Sequence, residues 1–330
     1  MNQHLINRVF DTFPSLNALI IGDVMIDAYL FGSVDRVSPE APVPVVSVNK
    51  KENRLGGAAN VALNIKALGA TPILCCVVGN DANADVFHEL MIHHGLSTEG
   101  VLRDSTRPTT VKTRVISQQQ QMLRIDEEDS NLLNLTVSDE MTQRILELLT
   151  AKKIDVVIFE DYDKGLISPE LISAVVAKAN DLNIPISVDP KKRNFTAYHN
   201  VTLFKPNLKE LREGLNIYVE PINLANLKSG FKNLKDLINC ESALITLSEL
   251  GMFITDGEQS QIVPAHIRNI ADVSGAGDTV ISVASLSMAA GTDVVFATKL
   301  ANLAGGLVCE KVGVVPIDGE QLKNEALRLS

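Results

Sequence analysis

No stretch of this 330-residue sequence reaches the roughly 18 to 20 consecutive apolar residues that span a bilayer, and the opening run, MNQHLINRVFDTF, is too polar for a secretory signal. Membrane insertion is therefore not expected. A basic tract is missing as well: 30 Lys and Arg against 40 Asp and Glu leave a net charge of −10, which argues against nucleic acid and anionic membrane surfaces as partners. A phosphorylated small molecule stays open, because a pocket needs only a few local donors. Cysteine is scarce, and its four copies, Cys75, Cys76, Cys240 and Cys309, match no zinc or redox spacing. Read as buried thiols, they place the protein in a reducing, cytoplasmic compartment. The N-x-T sequons at Asn134, Asn194 and Asn200 are then chance occurrences. What is plentiful is core material, since 45% of the residues are hydrophobic and 21% charged, a globular balance.

Short β-rich apolar runs recur at 18–24, 73–78, 155–159, 184–188 and 243–247, as expected of buried parallel strands. Amphipathic stretches of helical length lie between several of them, at 58–68, 85–94, 140–149 and 169–179. This alternation predicts an α/β fold, a mostly parallel sheet covered on both faces, with ligand-binding loops at the carboxyl ends of its strands. Two segments break the pattern: 29–48, β-prone but punctuated by prolines, and 109–125, which surrounds the glutamine tract Gln118 to Gln121. Proline cannot serve a central ladder, so these segments are expected to form a small antiparallel sheet outside the core, a lid with the glutamines at a polar hairpin tip.

The segment 272–279, DVSGAGDT, places Gly275, Ala276 and Gly277 in a turn that opens a helix. Consecutive backbone N–H groups and the helix dipole make such a turn an anion hole. Asp278 then stands at the helix start, where it serves equally well as a cap or as a base for a hydroxyl beside a bound phosphate. In LGGAANVALNIKALG, Gly56 and Gly57 allow close backbone approach, and the Asn60 amide on the following helix can bind hydroxyls; tight packing on the sheet explains the same residues. Asp23 and Asp27 flank the end of the first strand, where carboxylates would meet a polyol, although Asp27 also fits a turn. Asn207 and Glu210 in KPNLKEL lie three apart at a helix start, suited either to Mg²⁺ through water and nucleotide phosphates or to a capping box. Asp161 and Lys164 in EDYDKG follow a buried strand, and the lysine can neutralise a substrate phosphate.

Together these segments resemble the ribokinase or PfkB family of sugar kinases along nearly the whole chain, with LGGAANVALNIKALGA matching its N-terminal signature and DVSGAGDT its C-terminal one. Within the family, GDVMIDAYLFGSVDRVSPEAPVPVV, TRVISQQQQMLRID, DYDKG and VSGAGDTVI are closely similar to the kinases of D-glycero-β-D-manno-heptose 7-phosphate, which make the 1,7-bisphosphate on the route to ADP-heptose and lipopolysaccharide. The resemblance implies a ribokinase-like three-layer α/β/α core with a β-sheet lid: one kinase domain over 1–330, lid segments at about 27–49 and 109–126, and a homodimer formed through the lid. It implies ATP as co-substrate with Mg²⁺, and admits a monovalent cation. Asp278 would be the base on the anomeric hydroxyl, with Gly275, Ala276 and Gly277 around the transferring phosphoryl group. Asp23, Asp27, Gly56, Gly57, Asn60 and Lys164 would hold the sugar phosphate. Asn207 and Glu210 would serve phosphate and Mg²⁺, while Thr246, Ser248, Gly251 and Asn302 would lie along the nucleotide.

Some positions depart from the pattern. Ser274 and Val280 stand where Thr and Phe are frequent, which marks a subgroup. Glu160 and Asp163 stand where serine and alanine are common in heptose kinases, and carboxylates there are expected to repel the 7-phosphate. The His-containing nucleotide motif of the adenylyltransferase often fused to such kinases is not found, so the chain is expected to phosphorylate only. Two other functions fit the sequence: a PfkB kinase for another sugar, and a non-catalytic sugar or nucleotide sensor.

Overall fold

The computed structural model describes residues 2–118, 120–266 and 268–330. Thirteen strands follow in chain order: β1 (Asn17–Gly22), β2 (Val24–Val37), β3 (Pro44–Gly57), β4 (Thr71–Gly79), β5 (Val101–Asp104), β6 (Val111–Ser117), β7 (Gln120–Glu127), β8 (Val156–Glu160), β9 (Ile186–Asp189), β10 (Leu203–Phe204), β11 (Ser242–Thr246), β12 (Met252–Thr255) and β13 (Ser260–Val263). The helices are α1 (Gln3–Thr12), α2 (Ala58–Ala67), α3 (Ala82–His93), α4 (Leu135–Ala151), α5 (Pro169–Asp181), α6 (Leu208–Leu215), α7 (Leu224–Ile238), α8 (Ala276–Ala289), α9 (Val294–Val308) and α10 (Gly319–Arg328).

Nine strands form one sheet in the order β13-β12-β11-β10-β9-β8-β1-β4-β5. Every pair from β11 to β5 is parallel, and β12 and β13 close one edge antiparallel. Because side chains alternate across a strand, β1 sends Ala18 and Ile20 to one face and Leu19 and Ile21 to the other. The first face packs under α1, α2, α3, α8, α9 and α10, the second under α4, α5, α6 and α7. This is the expected α/β/α sandwich, and the central apolar runs are its strands.

The remaining four strands make a second sheet, ordered β3-β2-β6-β7. Its segments lie where the lid is expected: the first runs longer, over 24–57, and the second covers 111–127. One feature is corrected: the sheet is mixed, since β2 pairs with β6 in parallel while β2–β3 and β6–β7 are antiparallel. The reason is topological, as β2 and β6 both leave the main sheet in one direction and only their hairpin partners return. Pro39 and Pro42 sit in the 38–43 turn, and Pro44 is the first residue of β3, paired with Val37 at the end of the ladder, where a missing N–H is tolerated. Gln119, within the tract read as a hairpin tip, lies outside the described residues, and the ladder flanking it ends at the Ser117–Gln120 pair.

Candidate active site

The parallel register lines up charged residues at the carboxyl ends of adjacent strands. Gly22 pairs with Glu160 and Glu160 with Asp189, while Lys205 follows the Phe204 that pairs with Val188. One row across β1, β8, β9 and the end of β10 therefore carries Glu160, Asp189 and Lys205, all buried. Lys205 Nζ lies 2.7 Å from Asp189 Oδ2, whereas Glu160 Oε2 has no partner among the described residues. Burial drives the Glu160 pKa well above the usual carboxylate range, and the nearby Asp189 and Asp278 add to the rise. Burial also opposes the Lys205 charge, but Asp189 and Glu160 outweigh it and its pKa is raised.

Helix α8 meets this row at its N-terminus. Gly275 caps the helix at φ 79°, a left-handed conformation that side chains disfavour, and this turn aims the first α8 amides outward. Among the described residues the N–H groups of Gly275, Gly277 and Asp278 have no protein acceptor, while that of Ala276 donates to Val273 O at 3.3 Å. The anion hole is thus built from the amides on either side of Ala276. Gly277 lies beside the charged row: a Cβ there would stand 3.7 Å from both Asp189 Oδ2 and Lys205 Nζ. Asp278 is buried, its Oδ2 accepting from the Asn60 amide at 2.7 Å and its Oδ1 from the Tyr162 hydroxyl at 2.8 Å. Burial raises its pKa despite those two bonds, which makes it a stronger base than a surface aspartate.

The sugar-side residues flank this centre. Gly56 lies against the Asp27 carboxylate, and Gly57 opens α2. Asp27 is ion-paired with Arg114 of the lid. Asp23 holds the loop after β8: its Oδ2 accepts from Tyr162 N at 3.1 Å and Lys164 N at 3.0 Å, and its Oδ1 from Leu166 N at 3.2 Å. Its place is therefore beneath that loop, which it shapes. Asp161 follows a buried strand, a position expected to reach the ligand-facing edge, but its side chain turns inward to Asn194 and Tyr198.

Burial, reinforced by Asp161, raises the Asp23 pKa from 3.8 to about 6. A raised folded pKa stabilises the protonated form, so its contribution is complete below the unfolded value and lost as the pH rises through the folded one. Wild type is expected to lose stability relative to Asp23→Asn between about pH 4 and pH 6, with a constant difference above that. Urea denaturation across this range checks it, and a difference independent of pH would contradict the assignment.

On the nucleotide side, Asn207 and Glu210 form a capping box: Glu210 N donates to Asn207 Oδ1 and Asn207 N to Glu210 Oε2, each at 2.8 Å. Glu210 Oε1 accepts from Lys191 Nζ at 2.6 Å, and Lys191 lies 5.5 Å from the Tyr162 ring centre, which ties this corner to Asp278. Thr246 forms a β-bridge with Asn207. Ser248 and Gly251 bound the following turn, Gly251 packs on the 263–265 backbone, and Asn302 donates to Pro264 O at 2.8 Å. Among the described residues no group of three or more His, Cys, Asp or Glu could hold a metal ion. The fit to Mg²⁺ is of another kind: Glu210 and Asn207 offer oxygens, and among the described residues Glu160 Oε2 is buried without a partner, which suits a hydrated ion carried in on nucleotide phosphates.

The structure brings Asp278, Asn60, Gly275, Gly277, Asp23 and the Lys164 loop together, with Asn207 and Glu210 joined through Lys191. Sequence reasoning missed Tyr162, Asp189, Lys191, Lys205 and Arg114. A usable signal existed for two of them, since Asp189 and Lys205 directly follow buried apolar runs, where a doubly wound sheet presents its ligand-facing ends.

Residues 15–318 match the family described as pfkB family carbohydrate kinase. Curated relatives include a protein named Bifunctional protein HldE from Pelobacter propionicus, 37% identical over 98% of this chain and 66% of its own length. Another of the same name, from Desulfatibacillum aliphaticivorans, is 40% identical over 94% of the chain and 63% of its own length. The chain thus spans about two thirds of the length of these relatives. Among solved structures, phosphofructokinase-2 from Escherichia coli, in complex with potassium, superposes with a TM-score of 0.75 at 16% identity, covering 95% of this chain and 98% of that one. Ribokinase from Arabidopsis thaliana, complexed with ribose and ATP, gives 0.72 at 15% identity, covering 96% and 99%. At these identities the two structures show the shared fold.

Proposed function

The chain belongs to the pfkB family of carbohydrate kinases, and we propose that it transfers the γ-phosphoryl group of ATP to the anomeric hydroxyl of D-glycero-β-D-manno-heptose 7-phosphate, giving the 1,7-bisphosphate for ADP-heptose and lipopolysaccharide synthesis. The observation that carries the chemistry is Asp278: a buried carboxylate at the first turn of α8, held by Asn60 and Tyr162, beside amides with no acceptor among the described residues. In this reading Asp278 takes the proton of the attacking hydroxyl, and the N–H groups of Gly275, Gly277 and Asp278 stabilise charge on the transferring oxygens. Asn60 and Tyr162 keep the carboxylate aimed at the hydroxyl. Mg²⁺, when bound with ATP, supplies charge neutralisation between the phosphates; Asn207 and Glu210 would hold it through water.

The heptose assignment is supported by the RVSPEAPVP element at 36–44, by DYDKG at 161–165, and by similarity to HldE proteins along nearly the whole chain. Residues 1–330 act here as one kinase unit. The lid closes over the sugar to exclude water. Exposed Leu123 and Ile125 on β7, at 56% and 47%, favour a homodimer through the lid. Four free cysteines favour a cytoplasmic setting.

The test is ADP release from Mg-ATP by the purified chain with D-glycero-D-manno-heptose 7-phosphate, ribose, fructose 6-phosphate or no sugar. Turnover dependent on the heptose phosphate is expected. Preference for another sugar would replace the substrate, and ATP binding without turnover on any sugar would point to a sensor.

A further inference from the structure

We propose that Lys112 and Lys164 form a two-sided clamp for the phosphate that the sugar substrate already carries, with Glu128 occupying the clamp as an internal anion when no substrate is bound. This rests on the sugar-phosphate reading of the site and adds the lid's contribution to it. Lys164 Nζ lies 2.9 Å from Glu128 Oε1, and Lys112 Nζ lies 3.9 Å from Glu128 Oε2. The two lysines come from different parts of the fold, Lys112 from lid strand β6 and Lys164 from the core loop after β8. Each is largely sheltered, with side chains 17% and 16% exposed, so neither is an ordinary surface lysine.

Register explains the convergence. Lys112 is level with Asp27 on β2, and level residues on paired strands share a face. Two residues along, the same face carries Tyr29 and Arg114, and Tyr29 reaches the core by accepting from Val314 N at 3.2 Å. Lys112 is therefore on the side of the lid that faces the site. The Lys164 backbone is fixed at both ends, its N–H by Asp23 and its carbonyl by Arg107 at 2.7 Å. Arg107 also donates to Asn131 O at 2.6 Å, which pins the segment just beyond Glu128. Lys164 stands two positions after Tyr162, whose hydroxyl touches Asp278, so the clamp lysine and a residue that holds the base belong to one short loop.

Charge selects the ligand. Asp27 and Asp126, level with Lys112 on the neighbouring strands, are each ion-paired with an arginine, Arg114 and Arg124, so the two ammonium groups facing Glu128 leave a positive charge uncompensated, whereas a phosphate dianion matches both and offers more acceptor oxygens. Burial, together with Lys164, lowers the Lys112 pKa even though Glu128 opposes the shift, as expected of a cation awaiting a stronger counter-charge. The carboxylates expected to repel a substrate phosphate are engaged elsewhere: Asp163 Oδ1 lies 2.8 Å from Arg193 Nε, and Glu160 sits in the buried row with Asp189 and Lys205.

The experiment compares kcat/KM for the heptose 7-phosphate with that for the unphosphorylated heptose, in wild type, Lys112→Met, Lys164→Met and Glu128→Gln, with inorganic phosphate binding measured by calorimetry on the same four proteins. Methionine keeps the aliphatic stem, and circular dichroism verifies folding. Each lysine variant is expected to lower the phosphorylated-to-unphosphorylated ratio about 10- to 100-fold and to weaken phosphate binding, while Glu128→Gln tightens it. A ratio preserved in both lysine variants, or phosphate binding that none of the substitutions alters, overturns the clamp. If wild type phosphorylates neither heptose yet its phosphate binding depends on both lysines, the heptose reading falls and the clamp stands.

Discussion

Replacing Asp278 by asparagine is expected to lower turnover about 10²- to 10⁴-fold, the share of rate a positioned general base supplies, equivalent to roughly 3 to 5 kcal/mol of barrier. Substrate affinity should change little, because asparagine keeps the shape of the side chain and can still accept from Tyr162 or Asn60. The pH profile adds a second readout. Burial raises the Asp278 pKa, so the acid limb of wild-type turnover should lie above the ordinary carboxylate value of 3.8 and vanish from the residual activity of the variant. Near-normal turnover in a folded Asp278→Asn protein would remove Asp278 from the role of base and leave it a structural acceptor for Asn60 and Tyr162.

The largest effect on stability is expected at Lys205. It is 3% exposed and is the direct partner of Asp189, with Glu160 next in the same row. Lys205→Met leaves Asp189 buried without the cation that pairs with it, and breaking a buried pair from one side costs about 3 to 5 kcal/mol. Adding Asp189→Asn to Lys205→Met should recover part of the loss, because the uncompensated charge is then gone. Urea denaturation of the single and double variants measures both effects. A loss below about 1 kcal/mol for Lys205→Met would show that water or a bound ion compensates the row instead.

The sequence shows its central strands plainly because parallel strands buried on both faces become continuous apolar runs, as at 18–24 and 155–159. It conceals β10, only two residues long, and the short edge strand β5, where little hydrophobic pattern can accumulate. The lid was visible through its prolines and alternating residues, but the parallel β2–β6 pairing is set by where both strands leave the core. The glycine turn before Asp278 is a local motif and was legible as such. The Glu160–Asp189–Lys205 row is not local: each member ends a different strand, and only the sheet register makes them neighbours. In sequence alone Glu160 reads as a carboxylate opposing the substrate phosphate, whereas in the fold its side chain belongs to that row. Lys112 was hidden for the same reason, since nothing near it in sequence indicates Lys164 or Glu128 as its partners.

Phosphorus NMR on a reaction of the purified chain, Mg-ATP and D-glycero-D-manno-heptose 7-phosphate tests the proposed transfer most directly. The predicted result is a new phosphate resonance coupled to the anomeric proton, growing in step with ADP while the 7-phosphate signal persists. ADP formed without that resonance, or a phosphate on any other hydroxyl, would contradict it.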